Sequence, residues 1–141
     1  MKLKIVHKSY SCAPKSKYEL KEIILMRILN NPDVDLNDID VRNIIDMSCL
    51  FEYLDPHKID ISQWDVSNVE NMNGMFFGCT NFNSDLSSWD VSKVKNMQDM
   101  FWGCLMLNSD FNSWNVSKVT NMNQMFNGCA SMNKFPTWYK S

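Results

Sequence analysis

The stretch WDVSNVENMNGMFFGC fills residues 64–79 and returns, slightly altered, as WDVSKVKNMQDMFWGC at 89–104 and WNVSKVTNMNQMFNGC at 114–129. Setting Trp64, Trp89 and Trp114 in register also aligns Val66 with Val91 and Val116, and Met72 with Met97 and Met122. Phe76, Phe101 and Phe126 fall together, as do Cys79, Cys104 and Cys129, so the period is 25 residues. A degenerate earlier copy, IDVRNIIDMSCLF, has Ile39 in the tryptophan place and Asp40, Val41, Met47 and Phe51 at the same offsets. Trp138 opens a further copy one residue early. Periods of about 20 to 50 residues mark units that bury their apolar faces against one another.

Two local patterns alternate within a unit. Val69, Met72, Met75, Phe76 and Cys79 lie at helical spacing with Asn71, Asn73 and Gly74 between them, which predicts a short amphipathic helix started by Ser67 and ended by Gly78. The next segment, DLSSWDV at 85–91, reads as a short strand paired in parallel with its counterparts. The expected fold class is therefore an α/β solenoid: a short leucine-rich-repeat-like coil of about four units with a parallel strand ladder, a helical face and an N-terminal capping helix.

These units resemble the repeat of the BspA-like leucine-rich-repeat family, of DUF285 type, over about residues 35 to 133. The resemblance implies a protein-interaction solenoid of the kind found in bacterial surface proteins and in proteins of mobile elements. The chain shows no export signal like that of the surface adhesins.

The flanks differ from the copies, as the ends of a stack must. SKYELKEIILMRILNNP, from residue 16, places Ser16 three residues before Glu19 as a capping box, sets Leu20, Ile23, Ile24 and Ile28 on one face, and stops at Asn30, Asn31 and Pro32. It predicts a helix over about 16–30 inside an N-terminal cap, 1–34, with a strand in KLKIVHK beside it. The copies fill 35–133, and Phe135, Trp138 and Tyr139 cover the last one as a C-terminal cap, 134–141, so that 1–141 forms a single domain.

With 14 basic and 16 acidic residues the net charge is −2, so no global field favours nucleic acid or an anionic membrane. No signal peptide or membrane-length apolar run is visible, and the five cysteines form no CxxC pair, which suits reduced thiols in a cytoplasm. The cysteine column reads as small buried hydrophobes, since a row of thiols does not converge on one metal. His7 and His57 fall outside the repeated positions with no nucleophile beside them. No enzyme, cofactor or metal is expected.

Two features point to binding. Asp35, Asp60, Asp85 and Asp110 form one row, with Asn37, Ser62, Ser87 and Asn112 two residues beyond them; Asp40, Asp65, Asp90 and Asn115 form another. Stacked carboxylates repel unless hydrogen-bonded or met by a cation, so these residues are turn caps, an acidic binding strip, or both. Phe77 and Trp102 occupy a column that changes to Asn127, the mark of an outward position, and either form a contact patch or lie flat on their own coils. The expected function is non-catalytic binding and inhibition of a host protein by an intracellular bacterial, phage or mobile-element protein. The alternatives are a relative of a surface adhesin and an acidic nucleic-acid mimic. The partner is a protein, with no direct nucleic-acid binding and no membrane; the sequence leaves the oligomeric state open.

Overall fold

A computed structural model describes residues 8–56 and 58–140. The strand expected in KLKIVHK lies outside the described residues except for Lys8, and both histidines lie outside them. Helix α1 spans Lys17–Asn30, strand β1 Asp33–Asp35 and strand β2 Lys58–Asp60. The Ser16 hydroxyl accepts the Glu19 amide at 3.2 Å, and the Glu19 carboxylate accepts the Lys15 amide, one residue before the usual capping-box partner. Leu20 and Ile24 seat α1 on the core.

The α/β solenoid, with its strand ladder and helical face, is not what forms. The described residues hold one helix and a single open two-stranded parallel sheet, in which Asp33, Val34 and Asp35 pair with Lys58, Ile59 and Asp60. The 85–91 segment is a turn, with the Trp89 amide donating to Leu86 O at 3.1 Å. The helix expected from Ser67 to Gly78 is absent too. Met75, Phe77 and Cys79 donate to Met72, Gly74 and Phe76, three residues back, while the intervening amides of Met72, Gly74, Phe76 and Gly78 leave the segment and donate to Asn96, Gln98, Met100 and Trp102. An α-helix needs every amide for the carbonyl four residues back. Here half of them are spent between segments, and Gly74 and Gly78 sit at φ +59° and +71°, outside helical space.

The core runs through these turns as columns. Phe51, Phe76, Phe101 and Phe126 stack at centroid distances of 5.3, 5.4 and 5.6 Å with planes within 9° of parallel. Trp64, Trp89 and Trp114 flank them and donate their indole N–H to Leu36 O, Ile61 O and Leu86 O at 2.8–3.1 Å. Cys79, Cys104 and Cys129 donate to Phe51 O, Phe76 O and Phe101 O at 3.0–3.1 Å. Both residue types thus satisfy buried carbonyls as well as filling volume. At the far end Phe135, Trp138 and Tyr139 pack on Phe126.

Candidate functional site

The aspartate rows are built from one local device repeated. Asp35, Asp60, Asp85 and Asp110 each accept, through Oδ1, the backbone amide two residues on, from Asn37, Ser62, Ser87 and Asn112 at 2.8–3.0 Å. Asp40, Asp65, Asp90 and Asn115 do the same for Arg42, Ser67, Ser92 and Ser117, and Asp46, Asn71, Asn96 and Asn121 for Ser48, Asn73, Gln98 and Asn123. These are Asx-turns, in which a short side chain imitates the next turn of backbone and fixes a bend. Ser67, expected to cap a helix, instead gives its hydroxyl to Asp65 at 2.6 Å.

Fixing the bends sets the first row along an open groove of about 800 Å³. Strands β1 and β2 bring Asp35 opposite Asp60, and the next turn adds Asp85; Ser62, Asn81 and Asn83 contribute amide and hydroxyl groups to the wall. The floor is apolar, made by Val34, Ile59, Phe82, Pro56 and Met106. Beyond β2 the backbone pairing gives way to hydroxyls: Ser84 Oγ donates to Ile59 O, and Ser109 Oγ to Ser84 O at 3.2 Å. Hydrogen bonds from the Ser62 hydroxyl, the Asn37 amide and the Ser62 backbone hold the Asp60 carboxyl below the usual carboxylate range. Those from Ser87 do the same for Asp85. Both are therefore ionised at neutral pH, and Lys58 is the one cation among the described lining residues.

Of the sequence-predicted residues, the groove gathers Asp35, Asp60, Ser62 and Asp85. Ser87 serves as the donor that caps Asp85. Asp110 and Asn112 open onto a separate hollow of about 280 Å³ with Lys134. Phe77 and Trp102 line neither; they stack face to face at 4.5 Å and 6°, each half-buried, with Tyr53 edge-on to Phe77 at 5.4 Å. Tyr53 is 68% exposed, and its ring lies where a side chain at Gly78 would sit. Sequence reasoning passed over Tyr53 although the other copies carry Gly78, Gly103 and Gly128 there. It also passed over the apolar floor, whose signal is the change from Val34 and Ile59 to Ser84 and Ser109.

All five cysteines are free, and burial pushes the Cys79 and Cys129 thiols up to about 12, with Cys104 higher still. Among the described residues, no cluster of His, Cys, Asp and Glu is placed to hold a metal ion, and no helix is long and apolar enough to cross a membrane.

Residues 21–138 match a protein family described as "Mycoplasma protein of unknown function, DUF285". The chain belongs to this family. The match takes in most of α1, both strands, the groove and the aromatic stack. No curated protein and no solved structure matches the DUF285 chain.

Proposed function

We propose that this DUF285 protein is a non-catalytic protein-binding module whose groove holds an extended, basic segment of a partner. The observation that carries this reading is the groove itself: four carboxylates, Asp33, Asp35, Asp60 and Asp85, line it above the apolar floor of Val34, Ile59, Phe82 and Met106. A lysine or arginine side chain suits such a surface, its alkyl stem on the floor and its charge at the rim. The break between Asp85 and the hollow holding Asp110 favours a protein ligand over a nucleic-acid mimic, which needs a continuous strip. Five unpaired thiols support binding inside a reducing compartment, the cytoplasm. The likeness to BspA-like proteins, some of them carried by mobile elements, supports a role in binding and blocking a host factor; that step is an analogy of family.

A peptide-display selection against the full chain tests the groove. It should return peptides rich in lysine or arginine interleaved with apolar residues, and Asp60→Asn with Asp85→Asn should weaken their binding at least about tenfold. Asparagine keeps the Oδ1 acceptor of each turn, as Asn71, Asn96 and Asn121 already do, so the loss reports charge rather than misfolding. Selected peptides without basic residues, or unchanged affinity in the double variant, would refute the reading.

A further inference from the structure

Four alternate amides of each segment donate to the segment that follows, while a smaller set, from Glu70, Lys95 and Thr120, runs back to Ile45, Glu70 and Lys95. Met47, Cys49, Phe51 and Tyr53 donate to Asn71, Asn73, Met75 and Phe77; Met72, Gly74, Phe76 and Gly78 donate to the next segment, and Met97, Asp99, Phe101 and Gly103 to Asn121, Asn123, Met125 and Asn127, all at 2.7–3.0 Å. The series breaks at the fourth set. The amides of Met122, Gln124, Phe126 and Gly128 meet no acceptor among the described residues. Aligned peptide dipoles leave partial positive charge at such an end.

The surface beside these amides is unfinished in a second respect. Val94 and Met97 are fully buried, whereas their counterparts Val119 and Met122 are only partly so. An apolar hollow of about 460 Å³ opens there, walled by Phe126, Cys129, Ala130, Phe135 and Tyr139, with Phe135 49% exposed. An unpaired row of backbone groups flanked by apolar side chains is a template for another chain.

We propose that this edge docks a second polypeptide presenting a row of backbone carbonyls from the same 25-residue motif. The choice of occupant follows from the donors. Two copies of this edge would set these four N–H groups against one another, and an extended strand alternates N–H with C=O along its rim, so half its groups would oppose donors. A carbonyl row of the kind borne by Asn71, Asn73, Met75 and Phe77 satisfies all four amides, as it does at each earlier joint. The matching row of this chain, the carbonyls of Asp46, Ser48, Leu50 and Glu52, has α1 beside it. Lys17 Nζ reaches Ser48 Oγ at 2.8 Å and Lys21 Nζ reaches Cys49 O at 3.1 Å, while Leu20 and Ile24 are buried. The occupant is therefore a chain of this motif whose carbonyl edge carries no such helix, and the fully folded protein does not chain onto itself.

The probe is a synthetic peptide of residues 114–130, WNVSKVTNMNQMFNGCA, titrated into the ¹⁵N-labelled full chain beside a scrambled peptide of the same composition. The expected result is saturable binding with shifts at the amides of Met122, Gln124, Phe126 and Gly128 and slowed hydrogen exchange at those four. Phe135→Asp should abolish the shifts. Ala130→Arg, at an exposed wall position that leaves the core untouched, should do the same if Phe135→Asp fails to fold. Absence of shifts at about 1 mM peptide, equal shifts with the scrambled peptide, or shifts confined to the groove would each overturn the proposal. None of these outcomes bears on basic peptides in the groove, so the two readings fail separately.

Discussion

Replacing Phe101 by alanine should remove the centre of the core, and Phe77→Ala should not. Phe101 is fully buried, with Phe76, Phe111 and Phe126 at 5.1–5.6 Å and Phe82 and Trp114 at 6.3 and 6.4 Å. Its neighbours are held by inter-segment hydrogen bonds on both sides, so the site collapses little, and the cost falls at about 3–5 kcal/mol. For a domain of this size that is a fifth or more of a total stability of about 5–15 kcal/mol, and it lowers Tm by about 10 °C or more. Phe77 loses one stacked and one edge-on contact, with Trp102 and Tyr53, on a half-exposed surface. At about 0.5–1.5 kcal/mol per aromatic pair, part of it returned by hydration of the exposed faces, the expected cost is about 1 kcal/mol. Urea unfolding followed by tryptophan fluorescence measures both, with an unchanged denaturant slope as the check that the same surface is exposed. A loss below about 2 kcal/mol for Phe101→Ala, or equal losses for the two variants, would refute the distinction between an inner stack that holds the molecule and an outer stack that lies on its surface.

Gly103→Ala isolates backbone conformation. The new Cβ would meet nothing nearer than Gly78 Cα at 3.7 Å, so the cost at φ +72° should be the left-handed penalty alone, about 1–2 kcal/mol by chemical denaturation. Asp38 is held down at about 2, chiefly by its hydrogen bonds from Arg27. A carboxyl lowered on folding stabilises above its unfolded value and loses that contribution as pH falls through about 2. The stability gap between the wild type and Arg27→Gln should accordingly be present at pH 6 and close toward pH 2, and a gap that persists would show that packing rather than charge holds α1 there. Thiol labelling of the native protein at pH 8 should modify the partly exposed Cys12 and Cys49 first, with Cys79, Cys104 and Cys129 reacting only on unfolding; early labelling of Cys104 would contradict its burial.

Much of the core was legible because period and burial are tied together. Every residue of the Trp64, Met72, Phe76 and Cys79 columns was picked out by register alone, and all but Met122 are buried. Helix α1 was equally legible from Ser16, Glu19 and its apolar face, since capping and periodicity act within one segment. The groove was half legible. Its carboxylates stood in a row in the sequence, whereas Pro56, Phe82 and Met106 reach it from different copies and turns, which no local pattern records.

By itself the sequence determined which side chains share a column and where helix α1 begins and ends. Only the tertiary structure decided what the backbone does between columns. Apolar residues three and four apart suit an α-helix or a run of three-residue turns equally well, and the choice lies with acceptors contributed by a segment 24 residues away, as when Gly74 donates to Gln98 O. Those bonds turned expected helices into turns and the aspartate rows into bends around a groove. They also left one set of amides, at Met122, Gln124, Phe126 and Gly128, with no partner among the described residues.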